Sequence, residues 1–153
     1  MVQAIPHGYP GVTPYLIVRG AARALDFYKQ AFGATEIMRL PAPGGKVGHA
    51  EIRIANGVVM LADESPEMGH KGPEALGGSP INLMFYVADV DAQFAQAVAA
   101  GAKIKRPLTD QFYGDRSGTI IDPFGHVWTL ATHVEDVEPE ELERRMKAMA
   151  PPA

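Results

Sequence analysis

Three ionisable side chains stand at alternate positions of one short run, His49, Glu51 and Arg53, with Ala50, Ile52 and Ile54 interleaved. Alternation at period two marks a strand with one covered face, so the polar three share a face and the apolar three lie beneath a helix. An imidazole beside a carboxylate can take and return a proton, or grip a polar ligand. A solvated strand face with local ion pairing has the same composition. A second patch, Gln111-Phe-Tyr-Gly-Asp-Arg-Ser-Gly-Thr, sets Tyr113 near Arg116, a ring and a cation suited to a planar or anionic small molecule. Asp115 in that patch reads as a structural residue of a hairpin edge. The chain has no Cys, which removes disulfides, thiolate nucleophiles and zinc–thiolate sites. No nucleophile elbow, phosphate loop or dinucleotide fingerprint is present, and Gly44-Gly45-Lys46 precedes a strand rather than a helix.

The elements that must position these groups come as an internal repeat. The first copy runs Thr13-Pro-Tyr-Leu-Ile-Val, a helical stretch ending Ala31-Phe-Gly-Ala, His49-Ala-Glu-Ile-Arg-Ile, then Gly57-Val-Val-Met-Leu. The second runs Asn82-Leu-Met-Phe-Tyr-Val, a stretch ending Ala99-Ala-Gly-Ala, Gly118-Thr-Ile-Ile-Asp, then Gly125-His-Val-Trp-Thr-Leu. Each unit reads as strand, helix and three strands, and neither can bury its apolar face alone. Residues 1–12 form a Pro- and Gly-rich arm, 13–63 the first module, 64–80 a long linker, 81–132 the second module and 133–153 a helical tail. A turn is expected at Asn56-Gly57. Trp128 reads as core, His126 as a buried structural histidine, His70 and His133 as surface residues, and Asp122-Pro123 as a turn device.

The 153 residues are 46% hydrophobic and 21% charged, ordinary values for one globular domain. A formal charge of −4, with Lys103, Lys105 and Arg106 as the only basic cluster, argues against nucleic acid. No signal peptide and no apolar run of membrane-spanning length is evident, so a cytoplasmic protein without a membrane partner is expected.

Two such units in tandem, with Asp26-Phe-Tyr in the first helix and Asp122-Pro-Phe-Gly-His near the end, resemble the vicinal-oxygen-chelate superfamily. That group includes glyoxalase I, extradiol ring-cleaving dioxygenases, fosfomycin-resistance enzymes and bleomycin-resistance proteins. His49-Ala-Glu-Ile-Arg-Ile, Tyr113-Gly-Asp-Arg-Ser-Gly-Thr and Asp122-Pro-Phe-Gly-His-Val-Trp are most similar to its PhnB-like branch. The resemblance spans residues 13–132 and implies an α+β fold. In it, tandem βαβββ modules form a curved mixed sheet around a cleft, with the C-terminal helix added. It also implies a homodimer, since members commonly pair two chains so that clefts complete across the interface.

In metal-dependent members four inward side chains hold the ion, a pair from the first and last strands of each unit. The resemblance lays those places on Thr13, Met60, Asn82 and Thr129. A thioether, two hydroxyls and an amide cannot offset the charge and lost hydration of a divalent cation. Neither a metal nor another cofactor is therefore expected. Strand alternation then adds Tyr15, Met84 and Tyr86 to the cleft, while Leu16, Val18, Leu83 and Phe85 go to the core. The expected ligand set is Thr13, Tyr15, His49, Glu51, Arg53, Met60, Asn82, Met84, Tyr86, Tyr113, Arg116 and Thr129. The leading reading is a metal-free binding protein for a small, partly aromatic molecule. The alternative is a glyoxalase-like lyase or isomerase. It would use His49 and Glu51 as acid and base, or as a relocated metal site with a third donor such as His7. A third reading gives the tail helix a role in association.

Overall fold

The computed structural model describes residues 1–151. Module one runs β1 (Tyr15–Val18), α1 (Ala21–Phe32), β2 (Thr35–Ala42), β3 (Lys46–Ile54) and β4 (Gly57–Asp63). After the short helix α2 (Pro73–Leu76), module two repeats the order as β5 (Asn82–Tyr86), α3 (Val90–Ala100), β6 (Lys103–Asp110), β7 (Asp115–Ile121) and β8 (Val127–His133). The tail ends in α4 (Pro139–Met149). The strands make two four-stranded mixed sheets, β1-β4-β3-β2 and β5-β8-β7-β6, each with one parallel and two antiparallel ladders.

Local chemistry sets the element ends. Helix α1 starts where Gly20 takes a left-handed conformation, and Asp63 Oδ1 accepts the Gly20 and Ala21 amides at 2.9 Å each. The other Asp63 oxygen accepts the Val47 amide at 2.8 Å, so one carboxylate ties helix to sheet. Helix α3 begins at Asp89, whose side chain accepts the Ala92 amide at 3.0 Å. The first strand opens at Tyr15, two residues later than its repeat partner suggests, because Pro14 has no amide for a ladder; its carbonyl still accepts the Met60 amide. The β3–β4 hairpin turns at Ala55-Asn56, one residue before the expected Asn56-Gly57, and Gly57 pairs with Ile54. Keeping Ile52 and Ile54 buried fixes that register, and Ala55 accepts a φ of 50° as the consequence. The linker is built rather than loose. Ser65 pairs with His70, a 3₁₀ turn covers Pro66–Met68, and Pro73 is buried beside Gly125.

Both sheets bury the face that meets the helices. Helix α1 fills the space between them: Tyr28 is fully buried, and Phe32 packs edge-on to Phe85 and tilted against Trp128 at ring separations of 5.1 and 4.9 Å. Helix α3 presses Phe94 onto Gly118 of β7, where no larger residue fits. The modules are joined by Asp122, a buried carboxylate that accepts from Tyr28 Oη at 2.6 Å and Trp128 Nε1 at 2.9 Å. It also accepts the Phe124 and His126 amides, and the His126 ring donates to the Ile17 carbonyl at 2.9 Å. Each sheet's opposite face is open to solvent. Tyr15 on one, and Met84 and Tyr86 on the other, remain about half exposed (48, 47 and 54%).

Candidate functional site

The open face of module one carries a closed chain of hydrogen bonds. Tyr15, Met60 and Glu51 lie side by side across β1, β4 and β3 in register, and His49 stands two residues before Glu51. The His49 Nε2–H donates to Glu51 Oε1 at 2.9 Å, which leaves Nδ1 to accept from the Tyr15 hydroxyl at 2.8 Å. The second Glu51 oxygen accepts from the hydroxyl of Tyr9, brought over by the arm. Glu51 is buried, and its bonds from His49 and then Tyr9 hold its carboxyl below the ordinary value. Burial pushes the Tyr15 phenol up. Ala50, Ile52 and Ile54 are buried under α1, as their alternation requires. Arg53 lies exposed near Gly8 of the arm.

The open face of module two is neutral at its centre. Asn82 Nδ2 donates to Thr129 Oγ1 at 2.9 Å, and the Thr129 and Thr119 hydroxyls bond each other at 2.8 Å. Toward the far end Tyr86 donates to Asp115 Oδ2 at 2.7 Å, and His133 Nδ1–H donates to Asp115 Oδ1 at 2.8 Å. Asp115 is buried, and its bond pushes the Tyr86 phenol up. His133 also donates to Asp136 at 2.8 Å; two carboxylates at one ring favour the imidazolium and raise its pKa. His133 is thus a tail anchor as well as a surface residue.

The twelve sequence-derived positions do not meet at one place in the chain. Thr13, Tyr15, His49, Glu51 and Met60 belong to the first sheet or its approach, and Asn82, Met84, Tyr86 and Thr129 to the second. Arg116 is on the wrong face for a partner of Tyr113. Its neighbours Gly118 and Ile120 are buried toward α3, and its guanidinium grips Asp91 at 2.8 and 2.9 Å and Asp110 at 3.2 Å. Asp115 pairs with Tyr86 and His133 instead. Tyr113 is exposed in the turn before β7, edge-on to Phe112. A hollow of about 480 Å³ opens where residues 8–14 of the arm face β5, walled by Ile54, Val58, Leu83, Phe85 and Trp128, with Thr13, Met84 and Tyr86 at its edge. Tyr9 was invisible to sequence reasoning, since a lone ring in a Pro- and Gly-rich arm carries no periodicity.

The four positions that the resemblance assigns to a metal do not fit one. The Asn82 Oδ1 already accepts from the Thr129 hydroxyl at 3.0 Å, Met60 offers sulfur, and Thr13 only a hydroxyl. Among the described residues no three His, Asp or Glu side chains are arranged to hold an ion. No described helix is long and apolar enough to cross a membrane.

Tandem βαβββ units, Gly-capped helices and open concave faces define a class of fold, and residues 11–130 match the family model of the Glyoxalase/Bleomycin resistance protein/Dioxygenase superfamily. The chain belongs to that superfamily. It is 45% identical over 142 residues to the uncharacterized protein Rv0887c of Mycobacterium tuberculosis, spanning 91% of this chain and 84% of that one. Among solved structures it is similar to TioX from Micromonospora sp. ML1 (30% identity, TM-score 0.65, 80% of this chain and 98% of that one). It also shares its fold with a PhnB protein from Bacillus cereus (20% identity, TM-score 0.63, 79% and 98%).

Proposed function

We propose that the chain is a metal-independent binding protein for a small, partly aromatic molecule, working as a homodimer. The observation that carries this reading is the chemistry of module two's open face. Met84 and Tyr86 stand half exposed beside an apolar hollow, and the central donors Asn82, Thr119 and Thr129 are neutral. A hollow of about 480 Å³ lies within the usual range for small-molecule sites. It opens at the β5 edge rather than over Asn82, Thr119 and Thr129, and Tyr9, Thr13, Asn56 and Tyr86 are the polar anchors in its apolar walls. Half-exposed Tyr15, Leu40, Met84 and Tyr86 on the two open faces support covering by a second copy. In that pairing module one of one chain faces module two of the other.

The chain Tyr15–His49–Glu51–Tyr9 supports a second reading, acid–base catalysis as a lyase or isomerase. Both ring nitrogens and both carboxylate oxygens are already bonded, so the group as it stands holds the arm rather than awaiting a proton. Binding is therefore favoured. The test is a thermal-shift screen of planar aromatic compounds in chelator, because a ligand that prefers the folded state raises the melting temperature. At least one compound raises it in the wild type and fails with Met84→Asp. Stabilisation by no compound, or stabilisation indifferent to Met84, would overturn the reading.

A further inference from the structure

We propose that the bulged edge of the second sheet holds the anionic oxygen group of that ligand, with Arg106 and Lys105 supplying charge and the second amide N–H of Asn82 supplying a neutral donor. This rests on the binding reading above and names the chemistry of its ligand: an organic carboxylate, phosphate or phosphonate.

The edge strand β6 shifts register between Ile104, opposite Ile120, and Arg106, opposite Thr119, so Lys105 is the extra residue of a bulge. A bulge re-aims side chains. Here Lys105 and Arg106 line one small hollow of about 90 Å³ together with Ser79, Asn82, Thr119 and Val127, and no acidic residue lines it. Neither cation forms an ion pair among the described residues, a state they share with Arg23, Lys46, Arg53, Lys71 and Lys103. What sets Lys105 and Arg106 apart is that both line one hollow without an acid in its wall, in a chain where acids outnumber bases 18 to 14. Asn82 uses one amide N–H on Thr129 and keeps the other for an incoming oxygen. A guanidinium beside an amide donor matches a carboxylate or phosphate, which it can meet with two parallel bonds.

The size of the hollow says which part of the ligand enters. At about 90 Å³ it is far below a whole-ligand site of roughly 300–1,000 Å³, so it takes a head group. Along β5, Met84 and Tyr86 follow Asn82 by two and four residues, placing apolar surface about 7 and 13 Å away. A ligand with an anionic end and an aromatic body spans that distance.

The test titrates the full-length protein with inorganic phosphate and with benzoate at constant ionic strength set by chloride, followed by amide NMR. Saturable shifts are expected at Lys105, Arg106 and Thr119. Benzoate but not phosphate should also move Met84 and Tyr86, if the natural head group is a carboxylate; tighter phosphate binding marks a phosphorylated ligand. Arg106→Gln is expected to weaken binding about tenfold, the loss of one charge-assisted pair, and Lys103→Gln to change it less than about twofold. No saturable shift at this edge, or equal losses from Arg106→Gln and Lys103→Gln, would overturn the proposal. If oxyanions ignore Arg106 while neutral aromatic compounds still stabilise the protein through Met84, only the anion site falls. Arg106-dependent oxyanion binding with no stabilising aromatic compound would keep the anion site and retire the aromatic ligand.

Discussion

Replacing Asp122 by Ala should destabilise the junction of the modules, where Tyr28 of module one and three groups of module two share one carboxylate. The carboxylate accepts four hydrogen bonds at 2.6–3.0 Å: from Tyr28, Trp128 and the amides of Phe124 and His126. Tyr28 and Trp128 are 0 and 2% exposed, so their donors would find no water once the acceptor is gone. An orphaned buried donor costs about 1–3 kcal/mol, and the two turn amides lose their acceptor as well. A loss of about 3–5 kcal/mol follows, a large part of the roughly 5–15 kcal/mol that stabilises a domain. The melting temperature should fall by about 6–20 °C, taking roughly 2–4 °C per kcal/mol for a chain of this size. The single Trp, Trp128, reports the transition by fluorescence in urea or on heating. Tyr28→Phe removes one donor and leaves the carboxylate three, so it should cost only about 1–2 kcal/mol. Asp122→Ala within about 1 kcal/mol of wild type, or no milder effect from Tyr28→Phe, would refute the idea that four buried donors depend on this carboxylate.

Gly118→Ala should cost about 1–3 kcal/mol by overpacking, because its methyl would meet the Phe94 ring; Phe94→Leu in the same chain should recover part of that loss in denaturant melts. The His133 anchor is pH-dependent. Its pKa is raised above 6.5, so its contribution is fully present below that pH and is lost as pH rises through the raised value. NMR should show residues 134–149 gaining mobility across that interval, and His133→Gln should remove the pH dependence; mobility that is flat with pH would contradict it. Because the chain has no Cys, single-cysteine variants are clean probes of the dimer. A mixture of Tyr15→Cys and Met84→Cys should link between chains with a short bismaleimide. Linking confined to single chains of the double variant would contradict the paired arrangement.

Much of this fold was legible in the sequence because the repeat shows each apolar alternation twice. The burial of Ala50, Ile52 and Ile54 and the packing of Trp128 follow from period two alone. Register is harder. The turn at Ala55-Asn56 obeys the buried isoleucines rather than the favoured Asn-Gly pair, and Pro14 delays β1. The site was legible strand by strand but not as an assembly. Periodicity assigns side chains to faces, yet nothing local says that α1 packs against both sheets and leaves the open faces apart. Arg116 misled through composition: beside Tyr113 in sequence, it turns to Asp91 on α3. Lys105 and Arg106 read as an ordinary basic patch until the bulge places them in one hollow with Thr119.

If the open faces hold an organic ligand without a bound cation, chelator-treated protein should take up no divalent metal. Calorimetric titration of chelator-treated protein with Mn²⁺, Ni²⁺ and Zn²⁺ tests it most directly. We predict no stoichiometric uptake and no change in the melting shift given by aromatic ligands. One ion bound per chain, with uptake abolished by His49→Ala or Glu51→Ala, would contradict it.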